Sequence, residues 1–408
     1  MYNLVGFTSI SLLFLITLMI SLRWPAISKI IFTALVLRFL FLLINNHFIN
    51  LPDGDMDAKN YEQFAWEFSQ NGIFNKLKDY RPGAYFISHL ISIPYYLFGR
   101  SILLAQSLSI LFGIGCVLLG WLLAKKIWDN HTATKVGWVI ALFPTLVSYS
   151  VLTMREVYVS FFLLIAIYGI VNWVRENNLK SIFQIIFGFV GATFFHGALI
   201  IGLFVFLFII FLQSLKKTLE LFRDKRSLNI KTSILIIFSS TILILYFTNK
   251  ISLPYIHTFD ESIDTNFLKE SVINTKVKGA ASYPEWTKIK ENSEFFYKIP
   301  IRSIYFLFSP FPWEVKKLTH LIGAFDSFIY IFLSYLIFRN RIAIWRDPAL
   351  RIILIILFFY FIIFGLGVGN FGSSIRHRSK FIIELVLLAA PLIPKFVFYK
   401  RKQIKETT

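Results

Sequence analysis

The sequence predicts an all-α fold that crosses a membrane about eleven times as a single domain over residues 1–408, and three observations predict it. Of the 408 residues, 56% are hydrophobic and 18% aromatic, more apolar surface than a water-soluble domain hides. Runs of roughly 16 to 22 apolar residues, each long enough to span a bilayer as a helix, recur along nearly the whole chain. Charged residues make up only 16% and sit in short clusters between those runs, which is the spacing of spans and their loops.

Taken in order, the runs place helices at 4–22, 28–46, 102–124, 136–152, 156–174, 181–196, 197–214, 232–248, 319–338, 350–368 and 379–396. The stretch from Ser181 to Gln213 is too long for one span and divides near His196-Gly197. If the odd-numbered spans run inward, the basic residues of the short connections, among them Arg23, Lys126, Arg175, Lys217, Arg346 and Lys400, fall on one side. That asymmetry makes the C-terminus cytoplasmic and the N-terminus extracytoplasmic. Two long segments, 47–101 and 249–318, then lie outside. Each holds a shorter apolar stretch, Tyr85 to Phe98 and Ile299 to Phe311, which reads as an interfacial or re-entrant helix because another crossing would invert everything downstream.

The formal charge of +19 is spread through loops rather than gathered on one soluble segment, so nucleic acid is not an expected partner; the lipid bilayer is. The single cysteine, Cys116, excludes an intrachain disulfide and a cysteine metal site. Met1-Tyr2-Asn3 lacks a basic leader, so the first span is expected to be retained.

With this topology the unusual polar residues share one side: Asp53, Asp55 and Asp57; Arg81; Arg155-Glu156; His196; Trp313 with Pro310, Phe311 and Pro312; and Arg376-His377-Arg378. A carboxylate such as Asp57, or Asp55 as its rival, can accept the proton of an attacking hydroxyl. Arg81, Arg155, Arg376 and Arg378 suit phosphate oxygens, which guanidinium binds bidentately, and His377 can orient the group. Each cluster also has a plainer reading: a solvated turn with a helix cap for the aspartates, a packing salt bridge for Arg155-Glu156, a headgroup anchor for Arg376-His377-Arg378, and a polar residue in a helix break for His196. Arg38 lies inside the second span and requires a partner; Asp326 and Glu384 are the acids in reach of that role, and lining of a lipid-phosphate channel is the other reading.

Residues 57–72 read Asp57-x3-Tyr61-x3-Ala65-x6-Gly72, followed by Arg81-Pro82-Gly83-Ala84-Tyr85 and Leu97-Phe98-Gly99. About 50 residues so arranged resemble the first outer loop of the GT-C glycosyltransferases, specifically the protein mannosyltransferase and lipid A aminoarabinose transferase branch. The resemblance implies a sugar carried on polyprenyl phosphate or diphosphate, an inverting transfer to a glycan, lipid or protein acceptor, and an active site at the outer boundary of a bacterial inner membrane. It places Asp57 as the catalytic acid/base and Glu156 as the second acidic site, with a divalent cation (Mg or Mn), where one is used, beside Asp57 and Glu156. Ala58 and Gln106 depart from the family pattern, in which an acid and an arginine stand there. The outer arginines and histidine also resemble those of Wzy-type O-antigen or capsule polymerases. A non-catalytic lipid-linked glycan transporter is the third reading, and it predicts charges spread through the spans and an inverted repeat, neither of which the sequence displays.

Overall fold

The computed structural model describes residues 2–70, 83–223 and 281–394. Among these, regular structure is helical, with one isolated bridge between Ser282 and Asn370. Arg81, the expected span at 232–248 and residues 249–280 of the second long loop lie outside the described residues.

The first two apolar runs form α1 (Tyr2–Arg23) and α2 (Ser28–His47), joined by a 3-10 turn at Pro25–Ile27. Leu4, Phe7, Leu12, Leu15, Met19 and Leu22 of α1 are exposed, so this helix is apolar beyond the stripe that packs. The first long loop then contributes α3 (Asp57–Gln70) and α4 (Phe86–Phe98). Both are amphipathic, and one carboxylate clamps them. Glu62 accepts from Tyr95 Oη at 2.8 Å and from Arg100 Nε and Nη2 at 3.0 and 2.7 Å.

Next come α5 (Ile102–Ile127), α6 (Asn130–Leu142), α7 (Pro144–Val151), α8 (Glu156–Glu176), α9 (Lys180–Phe195) and α10 (Ile200–Arg223). Asp129 begins α6 by accepting from Thr132 N at 2.8 Å, a helix cap that starts the element earlier than its apolar run. The expected single span at 136–152 is a bent pair: α6 and α7 meet at 56°. Pro144 supplies no N–H and drives Phe143 out of the helical region to φ −65°, ψ 117°. The last segment holds α11 (Phe295–Phe308), α12 (Leu318–Arg339), α13 (Arg341–Arg346), α14 (Pro348–Gly367), α15 (Phe371–Arg378) and α16 (Ile382–Ala389).

Among the described residues seven helices are long and apolar enough to cross a membrane, or eight with the bent pair as one. The chain is therefore a multi-pass membrane protein. Of the expected spans, 181–196 is a helix of 16 residues that breaks at His196-Gly197. The run expected at 379–396 is not one helix: a 3-10 turn at Ser379–Phe381 precedes α16, and a second at Ala390–Leu392 contains Pro391, which cannot continue an α-helix.

The centre of the bundle is α8. A Cβ on Gly188 of α9 would lie 2.3 Å from Ala166 N, and one on Gly169 would lie 2.8 Å from Ile185 N, so these glycines let α8 and α9 approach backbone to backbone. At about 1.5 Å per residue α8 holds Glu156 and Arg175 roughly 30 Å apart, which gives the bundle two distinct ends. At the Arg175 end, Arg175 donates to Ile127 O (3.0 Å) and pairs with Asp347 (3.2 Å), while Lys126 pairs with Glu176. There too, Lys135 donates to Pro391 O and Ile393 O at 3.1 and 2.9 Å. The unusual polar groups collect at the Glu156 end.

Candidate functional site

Three short pieces of backbone build the Glu156 end. The first is the turn before α3. Asn45 Oδ1 accepts from Leu51 N at 3.0 Å, and Gly54 N donates to Leu51 O at 2.9 Å. Asp53 sits there in the left-handed region at φ 66°, a conformation aspartate tolerates better than most residues. It accepts from Tyr149 Oη at 3.0 Å. The second piece is the α7–α8 connection, which carries Arg155-Glu156 and is fastened to α3 by Thr153 Oγ1 donating to Ala58 O at 2.6 Å. The third is α15, started by Asn370 accepting from Ser373 N at 2.7 Å. The end of the second long loop pins α15: Tyr283 N donates to Gly369 O and Phe371 N to Ala281 O, each at 3.0 Å, and Tyr283 hydrogen-bonds Ser374.

These pieces bring together residues distant in sequence. Arg376 Nη1 pairs with Asp57, and its Nε lies 3.4 Å from Glu156 Oε1. Lys380 Nζ and Arg155 Nε approach the same oxygen to 3.5 and 3.9 Å. Three cations thus surround one buried carboxylate. Glu156 is 1% exposed, whereas the Asp57 side chain is 40% exposed, so Asp57 is the acid that meets solvent.

The contacts to Glu156 are Coulombic; both its oxygens, Arg155 Nε, Arg376 Nε and His196 Nδ1 are buried without hydrogen-bond partners. Buried polar atoms are rarely left so, and here Arg155 Nε and Arg376 Nε both approach Glu156 Oε1.

Lys380 Nζ lies 2.5 Å from His377 Nδ1. With Lys380 as an ammonium, which only donates, Nδ1 is the accepting nitrogen of this contact. Burial, with Lys380, His196, Arg376 and Arg155 adding positive potential, holds the His377 imidazole well below its usual range. His196 packs edge-on against His377 at 5.3 Å between ring centroids. Burial raises the Asp53 carboxyl above the ordinary aspartate range, against the pull of Arg376 and the Tyr149 hydroxyl. Burial opposes charge on Arg376 too, but Glu156 and Asp57 outweigh it and raise its affinity for the proton.

Of the residues singled out in the sequence, Asp53, Asp57, Glu156, Arg155, Arg376, His377 and His196 meet in this cluster. Asp55, Arg378, Arg38 and Trp313 do not. Asp55, the rival for the role of base, turns outward into a surface pair with Lys59 at 2.5 Å, whereas Asp53 turns inward to Tyr149.

Arg378 is expected among the phosphate-binding groups, yet it is fully buried with all five N–H groups engaged. Nε and Nη2 bind Asp326 at 3.1 and 2.7 Å; Nη1 binds Leu307 O and Ser309 O at 2.8 and 2.6 Å; Nη2 also binds Ser327 Oγ at 3.0 Å. It is a staple that holds α15 to α11 and α12.

Asp326 is thereby taken, and Arg38 has neither expected acid: its Nη1 donates to Ala34 O and Ala141 O at 3.1 and 3.4 Å. Trp313 is exposed and stacks on Phe311 at 4.9 Å, outside the cluster. Gln106, where an arginine was expected, forms a reciprocal amide pair with Asn46 at 3.0 and 3.1 Å.

No family model, curated protein or solved structure matches this chain. The site's chemistry therefore rests on the groups present.

Asp57 and Glu156 are the acids expected to hold a divalent cation where one is used. Arg376 contacts both of them, and among the described residues no three His, Cys, Asp or Glu side chains form a metal-holding group. The donor set here suits an anion held by guanidinium and ammonium groups. Lys380 is the functional candidate that sequence reasoning passed over, and Asp53 was given no role of its own there. Lys380 lies one helical turn after His377, a spacing that puts both on one face.

Proposed function

We propose that this protein is a GT-C-type membrane glycosyltransferase that moves a sugar from a polyprenyl-phosphate or polyprenyl-diphosphate donor to an acceptor hydroxyl at the extracytoplasmic face of a bacterial inner membrane. The observation that carries the reading is the Asp57–Arg376–Glu156 arrangement: a solvent-reaching carboxylate beside buried cations at one end of a bundle of apolar helices.

In this reading the acceptor oxygen attacks the anomeric carbon and its proton passes to Asp57. The bond from that carbon to the phosphate oxygen breaks, and the phosphate leaves with the electron pair. Arg376, Arg155 and Lys380 stabilise the negative charge that grows on it. Arg376 is shared between Asp57 and Glu156, so a phosphate drawing Arg376 toward itself would release Asp57 to act as base. Asp53, raised by burial and accepting from Tyr149, stands beside this pair as a second acid that shares the field of Arg376. His377, held by Lys380 at Nδ1, orients the phosphate.

The pairing of Arg376 with His377 on one short helix also suits the polymerase reading, in which the same groups grip a lipid diphosphate. Mass spectrometry of surface glycans and polyprenyl-linked sugars, in cells with and without the protein, separates the two. Loss of a single sugar is expected for the transferase, and accumulated unpolymerised repeats would identify the polymerase. An unchanged glycan and lipid profile would refute both.

A further inference from the structure

The opposite end of the bundle carries a second feature, independent of the glycosyltransferase reading. Between the last turn of α8, the end of α12, and α13 lies a groove of about 790 Å³, whose lining includes Arg175, Arg339, Arg346, Asp347 and Ile342. Three guanidinium groups face one carboxylate, so the lining carries two net positive charges.

Asp347 is already committed. It accepts from Ala349 N and Leu350 N at 2.8 and 3.3 Å as the cap of α14, and pairs with Arg175 at 3.2 Å. Arg339 donates one N–H to Tyr335 Oη at 2.8 Å. Arg346 makes no ion pair among the described residues and is exposed. Long apolar helices end or begin at this level: α8 at Glu176, α12 at Arg339 and α14 at Pro348. Ile342 and Trp345, exposed on α13, supply apolar surface at the same height, where an aromatic ring favours the boundary between hydrocarbon and water.

We infer that this groove binds the headgroup of an anionic phospholipid, its phosphodiester held by Arg339 and Arg346 and its acyl chains running down beside Ile342 and Trp345. The charge selects the ligand, because a zwitterionic lipid brings an ammonium group into the same positive field. The level of the groove selects a lipid over a soluble anion, since an apolar tail finds matching surface there. Basic grooves between spanning helices are built for such headgroups.

The test uses the full-length protein in detergent micelles and native mass spectrometry, with phosphatidylglycerol and phosphatidylcholine of identical acyl chains as probes. Phosphatidylglycerol is expected to be retained preferentially, and its retention to fall as ionic strength rises. Arg339→Ala with Arg346→Ala should weaken phosphatidylglycerol binding about 30-fold, roughly fivefold for each charge, and leave phosphatidylcholine unaffected. Arg339→Lys with Arg346→Lys, which keeps the charge, should retain most of it. Equal retention of the two lipids, salt-independent binding, or unchanged affinity in the double alanine variant would overturn the inference. None of these outcomes bears on Asp57 or the glycosyltransferase reading.

Discussion

Replacing Glu156 by glutamine keeps the side-chain shape and removes the one buried negative charge that Arg155, Arg376 and Lys380 share. At an effective dielectric near 20, contacts of 3.4, 3.5 and 3.9 Å correspond to about 4 to 5 kcal/mol of attraction each. Desolvation of the ions offsets most of that, and the net cost of deleting one partner of a buried ion cluster is about 3 to 5 kcal/mol. For a chain of this size the unfolding entropy converts that cost into a melting-temperature drop of roughly 3 to 6 °C. Lys380 suffers most, because it is fully buried and Glu156 is the acid it pairs with. Removing both charges should therefore be milder than removing one: Glu156→Gln with Lys380→Met is expected to recover about half of the loss. Thermal unfolding of the purified protein in detergent, followed by tryptophan fluorescence, measures Glu156→Gln, Lys380→Met and the double variant. A Glu156→Gln protein melting within about 1 °C of wild type would refute the buried-cage reasoning. So would a double variant less stable than the sum of its parts.

The remaining expectations concern neighbouring groups. Asp57→Asn should abolish sugar transfer while membrane insertion and yield stay unchanged, and Asp55→Asn should leave transfer intact; in vitro transfer from polyprenyl-linked sugar reads both, and an inactive Asp55→Asn protein would restore Asp55 as the base. Arg378→Ala strands Asp326 in a buried site without its guanidinium and should cost about 3 to 5 kcal/mol, seen as a lowered melting temperature; a stable Arg378→Ala protein would contradict the staple. The folded state binds a proton at His377 less readily than the unfolded chain does, so stability is lost as pH falls through the ordinary histidine value near 6.5. His377→Asn should flatten that acid limb between about pH 8 and pH 5, as melting temperatures across the range would record. Asp53 has the opposite sign: its carboxyl holds a proton longer in the folded state, so ionising it costs stability as pH rises above the ordinary value of 3.8. Asp53→Asn removes that cost.

Much of the bundle was legible because hydropathy alone decides whether a helix is long and apolar enough for a bilayer, as α1, α5 and α14 are. The bend at Phe143-Pro144 carried its own signal in the proline, which a hydropathy window averages away. The interrupted helix after Ser379 was masked by the same averaging over Ile382 to Leu388.

In the site, the residue types and their common side were readable from loop charges, and Asp57, Glu156, Arg376 and His377 do converge. Which acid faces which cation was not readable. Asp53 and Asp55 are two residues apart in one turn, and only the left-handed backbone at Asp53 sends one inward and leaves the other with Lys59. The sequence likewise treated Arg376 and Arg378 as twins. On a helix two residues apart they point about 160° away from each other, so one reaches Glu156 and the other Asp326. Lys380 was hidden in an apolar run, where a buried ammonium is stabilised only by a partner on another helix.

Sugar transfer at the outer face requires the Asp57–Glu156–Arg376 cluster to open to the extracytoplasmic side and the Arg175 end to face the cytoplasm. Labelling of introduced cysteines in intact cells by a membrane-impermeant maleimide tests this most directly, since the native Cys116 is buried. Cysteines replacing Asp55 and Trp313 should react in intact cells, and one replacing Arg346 should react only after permeabilisation. Labelling of position 346 from outside, or of 55 and 313 from opposite sides, would contradict the account.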